Sequence, residues 1–208
     1  MARGPVGRVV RARACRDTGQ AATEFIIVLP VLLLIILAAL QLGLLYRAKS
    51  TLNLATFQAA RTGALHYGRE AEMQVELANG LAGLYAAGTG WDDLMSGRQR
   101  ASAAVASYAR LTVVNPPREL HASRISNLRL KYQNGYQNGL SMQDLNVLKI
   151  RVVYCHPLQV PFIATTLRTL LMAQYSGFEQ QCLAAGRMPL ASSAVVRMQT
   201  DYCPELCP

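Results

Sequence analysis

The sequence predicts an α+β protein in which a long N-terminal transmembrane helix continues into a small exported head. The head is expected to hold about three further helical segments and a short, mostly antiparallel sheet. Three observations lead to this prediction: one long apolar run near the N-terminus, helical spacing of apolar residues after it, and alternating β-branched segments in the C-terminal half. Helices followed by strands are typical of α+β proteins.

The membrane helix is predicted from the run Phe25–Leu45, which holds 21 residues without an Asp, Glu, Lys or Arg. About 20 mostly apolar residues are needed to cross a hydrocarbon core of about 30 Å. Pro30 and Gly43 are compatible with such a helix, and Gln41 lies near its far end. A buried helix of a soluble protein is the alternative, but such helices are usually shorter and interrupted by polar residues.

The distribution of charge predicts the orientation of this helix. The formal net charge is +9, and the first 19 residues hold five arginines against one aspartate. Only three basic residues (Arg47, Lys49 and Arg61) lie close after the run, so the positive-inside rule places the N-terminus in the cytoplasm. The other basic residues form no run with interleaved aromatics, and a nucleic-acid partner is therefore not expected.

A short polar pattern directly precedes the apolar run. Gly19 is followed by four residues, beginning with Gln20, and then by Glu24 and Phe25. A secretory signal would instead place its small-residue cleavage site after the apolar core. A carboxylate at the edge of the hydrocarbon costs on the order of 1–3 kcal/mol unless it is paired. Favourable placement in a first helical turn is the alternative for Glu24, but it does not explain the glycine at this spacing.

This pattern resembles the cleavage site of type IV prepilins. The segments Gly19–Leu34 and Tyr46–Ala64 together resemble the TadE family of pseudopilins, which belong to tight-adherence (Flp) pilus systems. The resemblance implies cleavage after Gly19 by a prepilin peptidase, and pairing of Glu24 with the new amino terminus on Gln20 of a neighbouring subunit. Major pilins of such systems are very short and carry Glu-Tyr where this chain has Glu24-Phe25, so a minor pseudopilin is implied.

The expected organisation is a cytoplasmic leader (1–19), a transmembrane helix (20–46) and a periplasmic head (47–208). The inner membrane follows from the apolar run, and the resemblance implies a prepilin peptidase, other pseudopilins and the major pilin as partners. No cofactor and no small-molecule substrate are expected. An uncleaved, signal-anchored periplasmic binding or sensor module is the alternative function.

After the membrane run, a helical pattern without proline continues from Arg47 to about Ala78. Small residues at spacings of three and four form a stripe that permits close helix packing, against another subunit or against the chain's own head. The stripe consists of Leu52, Ala55, Ala59, Thr62 and Gly63. Four glycines are then expected to break the helix near Trp91: Gly80, Gly83, Gly88 and Gly90.

The rest of the head is predicted from periodicity and turn residues. A Tyr-Gln-Asn-Gly repeat starting at Tyr132 and Tyr136 predicts a hairpin, because both residues of Asn-Gly accept positive φ; an adhesive loop bearing two tyrosines is the alternative. The predicted elements are a helix over Arg98–Val114 stopped by Asn115-Pro116-Pro117, strands over Ser123–Tyr132 and Asp144–Tyr154, a helix over Phe162–Cys182 and a strand over Ala191–Tyr202.

The cysteines are divided by the predicted membrane run. Cys15 belongs to the cytoplasmic leader, and four cysteines belong to the exported part, where an oxidising compartment favours two disulfides of open connectivity. These are Cys155, Cys182, Cys203 and Cys207. A zinc site that adds His156 to three of them is the alternative, although the spacing fits poorly. No catalytic motif occurs, so neither an enzyme nor a catalytic metal is expected.

Overall fold

The structure is a computed structural model that describes residues 18–117, 119, 125–126, 135–137 and 139–205. The chain divides into two compact units, Met1–Ala39 and Leu40–Pro208. The predicted division into leader, membrane helix and head stays a prediction. Six helices lie in the described residues: α1 (Thr18–Leu65), α2 (Glu70–Tyr85), α3 (Trp91–Tyr108), α4 (Met142–Leu145), α5 (Pro161–Leu171) and α6 (Gly177–Ala184).

Five strands lie in the described residues: β1 (Ala109–Asn115), β2 (Tyr136–Gln137), β3 (Leu140–Ser141), β4 (Val147–Pro157) and β5 (Arg187–Arg197). The main sheet has three antiparallel strands in the order β1-β4-β5. Its central strand pairs residue by residue with both neighbours, so that Val152 lies opposite Leu111 on one side and Ser192 on the other. The α+β fold predicted from the sequence is thereby confirmed.

One core joins the C-terminal half of α1 to α2, α3 and one face of the main sheet. In the first half of β4 burial alternates, with Leu148 and Ile150 fully buried and Lys149 and Arg151 exposed, whereas the side chains from Val152 to His156 are all buried. Successive side chains of a strand point to opposite faces, so one face of the sheet is buried along the whole of β4, and the other is exposed only along its first half.

The second copy of the Tyr-Gln-Asn-Gly repeat forms the small hairpin of β2 and β3. Tyr136 pairs with Ser141 and Gln137 with Leu140, and Gly139 in the turn has a φ of 78°. The first copy, from Tyr132, lies outside the described residues. So does most of the predicted strand Ser123–Tyr132, of which Ile125 forms an isolated antiparallel bridge to Tyr202.

The prediction of one continuous helix to about Ala78 is wrong. Between α1 and α2, Tyr67 and Gly68 both have positive φ, 59° and 78°. Two successive residues in the left-handed region end a right-handed helix and reverse the chain. The prediction that Gly80 and Gly83 break the helix is also wrong, because both lie inside α2.

The prediction of a helix over Arg98–Val114 is wrong in its last third. Helix α3 ends at Tyr108, and β1 follows at once. Thr112, Val113 and Val114 are β-branched, which disfavours helix and favours strand, and Thr112 and Val113 lie opposite Arg151 and Ile150 of β4.

Three further boundaries differ from the predictions. The predicted helix Phe162–Cys182 is two helices, α5 and α6, and the second begins at Gly177 with a φ of 62°. The predicted strand from Asp144 begins only at Val147, because the Ser141 hydroxyl accepts a hydrogen bond from the Asp144 amide and starts the short helix α4. The last strand begins at Arg187 and ends at Arg197 rather than Tyr202.

Candidate assembly site

The residues predicted for processing and assembly lie in the first two turns of α1, which begins at Thr18. Gly19, Gln20, Glu24 and Phe25 are therefore all helical. Residues four apart in a helix lie on the same face about 6 Å apart along the axis, so Glu24 follows Gln20 by one turn. Both Glu24 and Phe25 are exposed, Phe25 to 61%.

The apolar part of α1 that follows Glu24 has almost no protein around it. Every residue from Ala22 to Ile36 is exposed. Among the described residues, α1 provides the one helix that is long and apolar enough to cross a membrane. A soluble chain rarely leaves so large an apolar surface in water, so this part of α1 has the character of a lipid-facing helix.

Near the end of the apolar run, Gln41 is fully buried in the folded unit Leu40–Pro208. Its side-chain oxygen Oε1 accepts a hydrogen bond of 2.9 Å from the backbone N–H of Val160. The other side-chain atom, Nε2, has no hydrogen-bond partner within the described residues. Gln41 thus fixes the segment just before α5 to α1. Gln41 is not among the residues predicted for the site, and the one signal for it in the sequence is a lone amide in an apolar run.

Farther along α1, the predicted stripe of small residues packs inside the chain's own folded unit. Leu52, Ala55 and Ala59 are fully buried in the core. A Cβ built on Gly80 of α2 would lie 2.6 Å from the Ala55 Cβ and 2.8 Å from its Cα. Of the two alternatives for the stripe, the structure supports the internal one: these residues hold α1 to α2.

Three cysteines of the folded unit Leu40–Pro208 are disulfide-bonded. Cys155 on β4 is bonded to Cys182 on α6, with their Cα atoms 5.3 Å apart. Cys203 is disulfide-bonded as well, and its partner lies outside the described residues, as does Cys207. Cys155 is not available as a ligand for the alternative zinc site, because its sulfur is part of the disulfide. No cluster of metal-ligating side chains occurs in the described parts of the chain.

His156 follows Cys155 on β4 and is 7% exposed. Burial and the nearby positive charge of Arg187 lower its pKa below the usual value. Its Nδ1 atom has no hydrogen-bond partner among the residues that the structure describes. A buried imidazole with a depressed pKa is neutral at pH 7, which suits a structural role.

A cleft of about 550 Å³ lies within the folded unit and contains none of the predicted site residues. Lys49 donates a hydrogen bond to the Ala191 carbonyl, and Arg151 forms a 3.0 Å ion pair with Glu179. The cleft offers positive charge and hydroxyl groups, and its lining holds no nucleophile paired with a base. The residues that line it are Lys49, Asn53, Val114, Lys149, Arg151, Ala191, Ser192 and Ser193.

The first part of α1 is similar in sequence to a known protein family. Residues 19–61 match the family model of TadE-like proteins. This segment, about a fifth of the chain, is therefore similar to proteins of tight-adherence (Tad) pilus systems. The TadE-like segment begins at Gly19 and extends through Gln41 into the buried stripe of α1. No significant match to a curated protein or to a solved structure was found.

Proposed function

We propose that this chain is a minor pseudopilin that takes part in assembly of a Tad/Flp adhesive pilus. The main support for this proposal is that the TadE-like match begins at Gly19, the residue after which cleavage is predicted. Glu24 and the exposed apolar surface of α1 follow at once. In this proposal the chain has no enzymatic activity and needs no cofactor.

Maturation by a prepilin peptidase would remove residues 1–19 and leave a charged amino group on Gln20. The Glu24 carboxylate lies one helical turn away, at the start of the lipid-facing surface. When the helix leaves the bilayer for a filament, Glu24 of one subunit pairs with the amino terminus of its neighbour. Such a pair offsets the cost of a carboxylate in an apolar environment and fixes the register of neighbouring helices.

The proposed location is the bacterial inner membrane, with the N-terminus in the cytoplasm and the folded unit in the periplasm. The excess of arginine before the apolar run supports this orientation. Disulfides at Cys155, Cys182 and Cys203 are consistent with an oxidising compartment. The proposed partners are the prepilin peptidase, other pseudopilins and the short major pilin.

Replacing Glu24 tests the assembly role. We expect Glu24→Ala to insert into the membrane as the wild type does, and to reduce the number of surface pili counted by electron microscopy. The matched control is Thr23→Ala, which alters the exposed neighbouring residue without removing a charge. Normal piliation with Glu24→Ala would count against the proposed pairing.

The alternative function, an uncleaved signal-anchored periplasmic module, shares the membrane helix and the orientation. It differs in the fate of residues 1–19, which it retains. In this alternative Glu24 has no role except its favourable position near the start of α1. Glu24→Ala would therefore leave the activity of the periplasmic module unchanged.

A further inference from the structure

The long segment between β4 and β5, which we call the excursion, carries almost no charge. The stretch Pro157–Phe178 has a single charged side chain, Arg168, in a protein of which 16% is charged. It contains α5, and the disulfide between Cys155 and Cys182 closes the excursion at its base.

The described side chains of this excursion stay outside the core until Cys182 and Leu183 of α6, which are buried. None of its described side chains from Pro157 to Gln181 is buried. Within α5, Leu167 and Leu171 are only partly covered, and Leu170 is 66% exposed. An apolar helix that buries none of its described side chains in its own fold needs an apolar environment from elsewhere.

Gln41 indicates where that environment is. Its Oε1 accepts the hydrogen bond from the N–H of Val160, the N-cap residue of α5. Gln41 belongs to the uncharged run Phe25–Leu45, close to its end. The first turn of α5 is therefore fixed next to the end of the membrane-spanning run.

The dimensions of α5 decide how it can meet the bilayer. Its 11 residues extend about 16 Å, roughly half of the hydrocarbon thickness. It can lie at a membrane surface but cannot cross the membrane. At 100° per residue, Leu167, Leu170 and Leu171 fall on one side of the helix, and Thr165, Arg168 and Thr169 on the other.

We infer that α5 is an interfacial helix, which lies in the headgroup region of the bilayer with Leu170 directed towards the acyl chains. Arg168 reaches the headgroups from the polar side, as basic side chains at membrane surfaces do. The excursion is then a second, shallow membrane contact beside α1. The inference rests on the part of the proposed function in which α1 spans the membrane.

Tryptophan quenching by brominated lipid tests this contact in the full chain. Trp91 is exposed and is first replaced by Phe, so that each variant carries a single tryptophan. The test variant is Leu170→Trp, the matched control on the opposite side of α5 is Thr165→Trp, and the control in the membrane span is Leu33→Trp. Each is reconstituted into phosphatidylcholine vesicles without bromine, with bromine near the headgroup end of the acyl chains, which reports on position 170, or with bromine deep in the acyl chains, which reports on position 33.

We expect the tryptophans at positions 170 and 33 to lose emission in brominated vesicles, and the one at position 165 to keep it. If position 33 is quenched and position 170 is not, the interfacial inference is overturned while the membrane anchor stands; a protein partner would then be what covers α5. If position 33 is not quenched either, the membrane span itself fails, and the inference fails with it.

Discussion

At the scale of single residues, two polar side chains of α1 differ in their surroundings. Glu24 is exposed at the start of the apolar surface, whereas Gln41 is buried near its end. Polar groups within membrane segments are costly and usually functional. The exposed Glu24 is the residue to which the proposed function gives a contact with another subunit, whereas Gln41 makes a contact within the chain, with the N–H of Val160.

His156 makes the stability of the folded unit depend on pH. Its pKa is lowered in the folded state by burial and by Arg187, while the unfolded chain keeps a histidine pKa of about 6.5. The unfolded state therefore binds more protons as the pH falls below about 6.5, and stability falls with it. We expect His156 to contribute up to about 1.4 kcal/mol per pH unit in this range.

Urea unfolding of the full chain in detergent at several pH values measures this effect, with His156→Gln as the matched variant. The wild type should lose more unfolding free energy on acidification than His156→Gln does. Parallel pH dependence of the two proteins would show that His156 is not responsible.

At the scale of elements, the contact between α1 and α2 depends on small side chains at the crossing. Gly80 lies against the Cα and Cβ atoms of Ala55, so that no room remains there for a methyl group. Gly83 lies one turn later on the same helix, and a Cβ there would meet nothing within 4 Å. Substitutions at these two glycines therefore distinguish the effect of close packing from the effect of helix propensity.

We expect Gly80→Ala to destabilise the folded unit by about 1–3 kcal/mol, because the added methyl overpacks the crossing against backbone that cannot yield cheaply. Gly83→Ala should instead stabilise it by up to about 1 kcal/mol, since alanine is the better helix former. Thermal unfolding followed by circular dichroism measures both. Equal effects of the two substitutions would mean that the crossing is looser than described.

The elements were predicted best where one local signal dominates. The uncharged run indicated α1, and the alternation in β4 indicated a central strand. The end of α3 was missed because Ala104, Val105 and Tyr108 continue at helical spacing to Leu111. Pairing with β4, a contact distant in sequence, makes Leu111 a strand residue. The reversal at Tyr67 was missed because a tyrosine rarely adopts positive φ.

At the scale of the whole molecule, the TadE-like segment covers less than a quarter of the chain. The sequence could predict Gly19 and Glu24 because their spacing is local and abuts the apolar run. It could not predict that Gln41 binds Val160, because 119 residues separate the two. The fold beyond residue 61 depends on contacts of this kind, between residues that are distant in sequence.

A pseudopilin of the proposed kind is anchored by α1 and shortened at its N-terminus before it acts. Insertion alone would serve a periplasmic module equally well, and the folded unit is the same in both cases. Only removal of residues 1–19 exposes the amino group of Gln20 that the proposed pairing with Glu24 needs.

Mass spectrometry of the N-terminus of membrane-extracted protein measures this step. In cells that contain the prepilin peptidase, we predict a chain that begins at Gln20; in cells without it, or with Gly19→Leu, the chain should begin at Met1 or Ala2. A wild-type chain that keeps its arginine-rich leader in cells with an active peptidase would contradict the account.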